Sequence, residues 1–394
     1  MARRRTRICF PFSGEALGGS HISAHGLLQN IDRDRFDPMV IVQEPDGEIA
    51  RLMRSADVPV RHAGFLPPLR HGERAGLRDA IGIAKASRAC TEMIRAMGAD
   101  IVHTNDGRSH AIWAAPAKCA GARLVWHHRS SPDARGLRLV APRIADAIIS
   151  VSTFALGDVD TRNVPTQVIH SPFDTDVQAD RRARRAALLG ELGCAPDTQF
   201  LGFFGVMIVR KRPFYFIEAI ARLRDLDPGR PVCGLLFGTP LEIGSDELMA
   251  HAKRLGVTDA IRLMGYRAPG ADWIAGCDLL LVPAKDEPFG RTLIESMLVG
   301  TPVVATRSGG NVEALRGGRL GPLVPLDDPA AMARAALGLL ADKAEWHRLA
   351  DAARLHALDH FGARRHAAAV MNVYDELVPP FAGVAGSAKV HALA

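Results

Sequence analysis

Paired cysteines are missing from this chain. Cys9, Cys90, Cys119, Cys194, Cys233 and Cys277 stand singly in 394 residues. With no C-x-x-C pair, neither a zinc knuckle nor a disulfide framework is indicated. Reduced and mostly buried thiols in a cytoplasmic protein are the better fit. Long apolar runs are missing too: no stretch reaches the roughly 20 residues of a membrane span. The opening "MARRRTRICFPFSGE" is basic, but its apolar part is too short for a signal-peptide core. These absences lead us to expect a cytoplasmic protein.

What is present is ordinary core material, with 47% hydrophobic and 23% charged residues. The length favours two domains over one core. A formal charge of +6 and a pI near 9.2 suit an anionic partner such as a nucleotide, a nucleic acid or an acidic lipid surface; on charge alone a merely solvated basic surface ranks first. The basic helical stretch 70–98 is a candidate for peripheral contact with anionic lipid on the cytoplasmic face, against a plain covering helix with a solvated arginine face.

Short apolar runs alternate with helical patterns along both halves. In the first half, 7–12, 39–45, 101–104, 122–128, 147–152 and 166–172 read as strands. In the second, 199–205, 232–238, 261–266, 279–284, 302–306 and 321–325 do. They are continuous runs rather than alternations, as strands covered by helices on both faces should be. The fold class expected is therefore α/β, with two Rossmann-like doubly wound parallel sheets facing across a cleft. The expected boundaries are a first domain over 1–172, a charged linker over 173–198 with a short helix, a second domain over 199–378 and a tail from 379. A last helix at about 361–378 is a candidate to pack back on the first domain.

Ligands in such sheets sit beyond the carboxyl ends of the strands. There, "DEPFGRTLIESMLVGTPVVAT" (286–306) follows the apolar run 279–284. Pro288 stiffens the loop, Gly290 permits close backbone approach, and a helix begins near Arg291. The first amides of that helix, at Arg291, Thr292 and Leu293, suit phosphate oxygens. Glu295, a turn further in, suits a ribose diol, and Glu287 on the loop suits hydroxyls on whatever the phosphate carries. Each has a plainer alternative. Glu295 as a solvated helix carboxylate, Lys211 as a solvated turn cation, Tyr266 as a core ring and Gly18–Gly19 as a simple turn all remain open at this level.

The spacing "EPFGRTLIE" resembles the E-x7-E motif of retaining GT-B glycosyltransferases of the family 4 type (glycosyl transferases group 1). The stretches "GTPVVATRSGGNVEAL", "GFFGVMIVRKRP", "IRLMGYRA", "DAIISVS" and "VIHSPFD" follow in that family's order. The resemblance implies that Lys211, with Arg210 beside it, holds the diphosphate of a nucleotide sugar and that Tyr266 and Arg267 flank the base. It further implies that Glu287 binds donor-sugar hydroxyls, that Gly290 to Leu293 meet the diphosphate through amides, with Phe289 on the same loop, and that Glu295 binds the ribose. Gly18 and Gly19 correspond to the glycine-rich loop facing the phosphates. Of His127 and His128 at most one faces the cleft, because strand side chains alternate; His128 is the choice for the histidine beside the transferred sugar. Val206 stands where the family usually has an arginine.

The partners implied are a nucleotide-sugar donor and a glycan or glycolipid acceptor, with no nucleic acid. No cofactor and no metal are expected, since Asp174-Thr175-Asp176 falls in the linker rather than at a strand end. Two rival readings share the architecture: a sugar-nucleotide epimerase or hydrolase, and a catalytically silent nucleotide-sugar-binding subunit.

Overall fold

A computed structural model describes residues 4–14, 17–66 and 76–379. The apolar runs become strands wherever the pattern was long enough to carry a signal. In the first half these are β1 (Thr6–Pro11), β2 (Phe36–Val42), β3 (Val60–His62), β4 (Ile101–Thr104), β5 (Arg123–His128), β6 (Ala147–Ser150) and β7 (Thr166–Val168). All pair in parallel in the order β3-β2-β1-β4-β5-β6-β7. The edge strand β3 was not among those expected from sequence: three residues carry too little periodicity to be seen.

The second half contains β8 (Gln199–Phe204), β9 (Val232–Phe237), β10 (Ile261–Gly265), β11 (Leu279–Val282), β12 (Val303–Thr306) and β13 (Leu323–Val324), in the parallel order β10-β9-β8-β11-β12-β13. In each half the first strand lies centrally, and the order reverses between it and the fourth. Those switch points, β1/β4 and β8/β11, are where such sheets open a crevice for ligand.

Each sheet is buried on both faces because its strands present apolar side chains both ways. In β1, Ile8 and Phe10 point into one core and Cys9 into the other. In β8, Phe200 and Phe204 face one side while Leu201 and Phe203 face the other. Full burial of side chains of this size is worth roughly 1.5–3 kcal/mol each. Local signals set the helix ends. Asp106 accepts from the amides of Arg108 and Ser109 to start the helix Gly107–Ala120, and Gly121, at φ 85°, ends it; that left-handed conformation costs glycine nothing.

Within 173–198 the helix Arg181–Leu192 is capped by Asp180. It docks on the second half through Leu188 and through Arg185, which meets Asp278 at 2.7 Å. At the far end, the helix Ala363–Leu377 carries Ala367, Val370, Val373 and Tyr374 into the first half's core beside Ile8, Phe10 and Phe36. The chain thus crosses between halves twice, and the crossings touch where Phe173 pairs with Gly362. Among the described residues no helix is long and apolar enough to cross a membrane. The helix Leu77–Met97 spans most of the basic stretch, with Arg88 and Glu92 paired on its exposed face at 2.8 Å; residues 67–75 and the expected tail beyond Pro379 lie outside the described residues.

Candidate functional site

At the β8/β11 switch point two loops lock together. The turn Val209–Lys211 follows β8, and the Arg210 carbonyl accepts from the Lys285 amide (2.9 Å), tying it to the loop after β11. Glu287 projects between them. One of its oxygens, Oε2, receives both Lys211 Nζ (2.7 Å) and Arg210 Nη1 (2.5 Å). Glu287 is 8% exposed. Burial pushes its pKa up, but the charges of Lys211 and Arg210 outweigh this and hold it below the ordinary carboxylate value. Val206 is exposed at the same strand end and brings no charge.

A second glycine-rich turn supports the loop carrying Glu287. The Gly310 amide donates to the Glu287 carbonyl (2.7 Å), and Ser308 Oγ accepts from the Asp286 amide (2.9 Å). The fit leaves no space: a Cβ on Gly310 would lie 2.6 Å from the Pro288 carbonyl oxygen and 2.8 Å from Phe289 Cα. Gly290, at φ 83°, then turns the chain into the helix Arg291–Leu298. The amides of Arg291 and Thr292 have no partner among the described residues. The Leu293 amide turns back to the Gly290 carbonyl (3.1 Å), so the free pair is narrower than the sequence suggested.

One turn on, Glu295 lies 3.7 Å from Arg291 Nη2, and burial raises its pKa. Both line a cleft of about 840 Å³ between the halves, with His25 and Gln29 from the first half and Gly270 and Ala271 from the second. Tyr266 and Arg267, after β10, are not among the residues lining this cleft. Tyr266 points outward, 75% exposed. Arg267 is claimed by Glu191 of the linker helix (Nη1 to Oε2, 2.8 Å) and lies over the Trp273 ring. Pro269, Gly270 and Ala271 line the cleft in their place.

From the first half, Gly19 comes close to this helix: a Cβ there would sit 3.0 Å from Arg291 Cδ. Gly18 caps the helix Gly19–Asn30. His127 and His128 fall on opposite faces of β5, and neither is open to solvent. His128 Nε2 donates to the Ser131 carbonyl (3.0 Å), and burial lowers its pKa. His127 lies under the last helix, its Nδ1 3.0 Å from His103 Nε2, with His103 in turn bonded to the Tyr374 hydroxyl.

Sequence reasoning passed over the residues that join the halves at the site. His170 Nε2 meets Glu313 Oε1 (2.7 Å), and Glu313 Oε2 accepts from the Thr153 amide (2.8 Å). The His170 ring stacks on Phe289 at 4.7 Å between centroids, so Phe289 faces the other half through its side chain. Ser152 Oγ donates to the Pro288 carbonyl (2.5 Å). His170 lies within "VIHSPFD" and Glu313 within "GGNVEAL"; both stretches carried the family pattern, but periodicity assigns neither residue a partner 143 positions away. Among the described residues no group of three or more His, Cys, Asp or Glu is placed to hold a metal ion.

Comparison with known proteins bears on this geometry. A profile described as Glycosyltransferase Family 4 matches residues 17–177, and one described as Glycosyl transferases group 1 matches residues 198–342. The chain belongs to glycosyltransferase family 4. Among its family 4 relatives, the D-inositol 3-phosphate glycosyltransferase of Salinispora arenicola is 32% identical over 304 residues, 72% of this chain and 65% of that protein. The protein of the same description from Streptomyces bingchenggensis is 38% identical over 203 residues, 49% of this chain and 44% of its own length. The chain thus spans about half to two thirds of these curated relatives. In fold it is similar to Anabaena HepE, solved in complex with UDP-glucose, with a TM-score of 0.76 and 24% identity over 94% of this chain and 100% of that one. The two facing sheets are the GT-B fold of family 4.

Proposed function

We propose that this chain is a retaining glycosyltransferase that moves a hexose-type sugar from a nucleoside diphosphate to an acceptor hydroxyl on a glycan or glycoconjugate. The observation that carries the reading is the cluster of Lys211, Arg210 and Glu287 beside the free amides of Arg291 and Thr292. A carboxylate already ionised and paired with two cations keeps them in place at low cost while the site is empty. When a diphosphate arrives, Lys211 shifts its charge toward the phosphate and the amides complete the anion site. Glu287 then accepts from hydroxyls of the sugar, and Glu295 from the ribose diol, with Gly270 and Ala271 beside it at the base end of the cleft.

The chemistry asks for charge stabilisation more than for a strong base. The bond from the sugar's anomeric carbon to the phosphate oxygen breaks, and the acceptor oxygen bonds to that carbon on the same face. The acceptor proton passes to the departing phosphate, whose charge Lys211 and the helix amides hold. His128, buried and held on Ser131, orders the rim of the first half beside the transferred sugar. The structural likeness to a UDP-glucose complex and the names of the family 4 relatives support a nucleotide-sugar donor. Thermal stabilisation by a panel of UDP-, GDP- and ADP-sugars tests the reading. A ligand at 100 times its Kd adds about 2.7 kcal/mol to stability, and no stabilisation by any of them would contradict it.

A further inference from the structure

Two arginines from opposite halves reach the same turn of chain. Arg129, just beyond β5, donates from Nη1 to Ser171 Oγ (3.2 Å) and from Nη2 to His127 Nδ1 (3.2 Å). Arg291 donates from Nη1 to Ser23 Oγ (3.1 Å) and to the carbonyl of Pro172 (3.4 Å). Because Ser171 and Pro172 are consecutive, both guanidinium groups are drawn to the first crossing between the halves.

Among the described residues, the charge of Arg129 is not balanced by an ion pair. An arginine only donates, so His127 Nδ1 must be an acceptor and its ring proton sits on Nε2. Burial, with the charge of Arg129 next, holds His127 well below its ordinary pKa, so it is neutral. Ser171 is neutral as well. Among the described residues Arg129 makes no ion pair, and its buried Nε has no acceptor. Asp106, the carboxylate whose charge acts on it, uses Oδ1 to cap the helix Gly107–Ala120. Burial, and then the charge of Arg291, pull the Arg129 pKa down to about 9. Arg291, by contrast, has Glu295 as a counter-charge at 3.7 Å. Arg129 is only partly exposed, and a cation drawn out of water without an ion-pair partner is costly, the more so with a second cation nearby. A planar fork of donors matches the oxygens of a phosphate better than any other common biological anion except a carboxylate.

We propose that Arg129 and Arg291 form a phosphate-binding cradle at the Ser171–Pro172 crossing, where Arg291 and Pro172 border the cleft, with Arg129 the first half's contribution to it. The proposal rests on reading the cleft as a nucleotide-sugar site and deepens that reading. Lys211 and Arg210 are tied to Glu287, and Val206 brings no charge; Arg129 adds positive charge from the first half, beside Arg291. The phosphate is either the donor's diphosphate or one carried by the acceptor. The chemistry of the cradle is the same for both.

The test is calorimetric titration of the full chain and its Arg129→Gln variant with UDP against uridine, and with inositol 3-phosphate against inositol. The cradle predicts that Arg129→Gln loses at least tenfold in affinity for a phosphorylated ligand, the scale for losing a hydrogen bond to a charged group, with no loss for its unphosphorylated counterpart. A loss confined to UDP assigns the cradle to the donor, and one confined to inositol 3-phosphate assigns it to the acceptor. Losses below twofold for both overturn the proposal. If Arg129→Gln does not fold, Arg129→Lys keeps the charge without the fork and should lose about three- to tenfold; wild-type affinity in that variant overturns the proposal equally. A wild-type chain that binds inositol 3-phosphate through Arg129 but transfers no sugar would sink the glycosyltransferase reading and leave the cradle standing.

Discussion

Replacing Glu287 by glutamine should cost stability in a way that depends on pH. The carboxylate is 8% exposed and one oxygen receives Lys211 at 2.7 Å and Arg210 at 2.5 Å. Removing one partner of a buried ion pair costs about 3–5 kcal/mol. Arg210 is 39% exposed and will turn to water, and glutamine still accepts a hydrogen bond, so the expected loss is about 2–3 kcal/mol. For a domain of this size that lowers Tm by roughly 5–10 °C. The sign with pH follows from the direction of the shift. The folded-state pKa lies below the ordinary 4.5, so the stabilisation is complete above that value and is lost as pH falls through the folded pKa. The assay is thermal melting of wild type and Glu287→Gln from about pH 3 to pH 8. The difference between them should be level near neutrality and shrink below about pH 4.5. A variant that melts within about 1 °C of wild type at pH 7, or a difference that does not shrink in acid, would refute the argument.

Lys211→Ala should keep the fold and cut turnover by roughly 10²–10³, the scale for one preorganised donor to developing negative charge; an unchanged rate would transfer that role to Arg210. Turnover should persist in excess EDTA, because Lys211 and helix amides meet the anion, and abolition by EDTA with rescue by magnesium or manganese would refute this account of the diphosphate site. Glu295→Gln should weaken the free nucleoside diphosphate more than tenfold while Glu287→Gln chiefly weakens the sugar-bearing form; equal losses of the bare nucleotide in both, by calorimetry, would remove that division. Gly310→Ala places a methyl 2.6 Å from the Pro288 carbonyl, so it should cost about 1–3 kcal/mol in melting experiments and reduce turnover through the displaced Glu287 loop.

The strands other than β3, and their parallel pairing, were legible because each apolar run is long and bounded by turn residues, and because strand–helix units repeat. The loop at 286–290 was legible for a local reason: Pro288, Gly290 and the following helix lie within a few positions, so the sequence itself places the loop and helix start where we propose an anion binds. The pairing of Arg267 was not legible, because nothing local tells an arginine at a strand end that Glu191, in the linker helix 76 positions earlier, will meet it. The same holds for Arg129, His170 and Glu313. Their meaning comes from partners in the other half or at the domain crossing, and only the packing of the two sheets brings those together. That Pro269, Gly270 and Ala271 line the cleft, and not Tyr266 three residues before them, has a related cause: periodicity marks where β10 ends but not which way the chain turns afterwards.

The central claim is that this cleft transfers a sugar from a nucleoside diphosphate with its anomeric configuration kept, through residues of both halves and without a metal. The direct measurement is proton NMR of the product formed from an α-linked nucleotide sugar and an acceptor panel, in excess EDTA. The account predicts an anomeric coupling constant that matches an α-linkage in the product as in the donor. A β-linked product, or donor consumed at the same rate with no acceptor present and no glycoside formed, would contradict it.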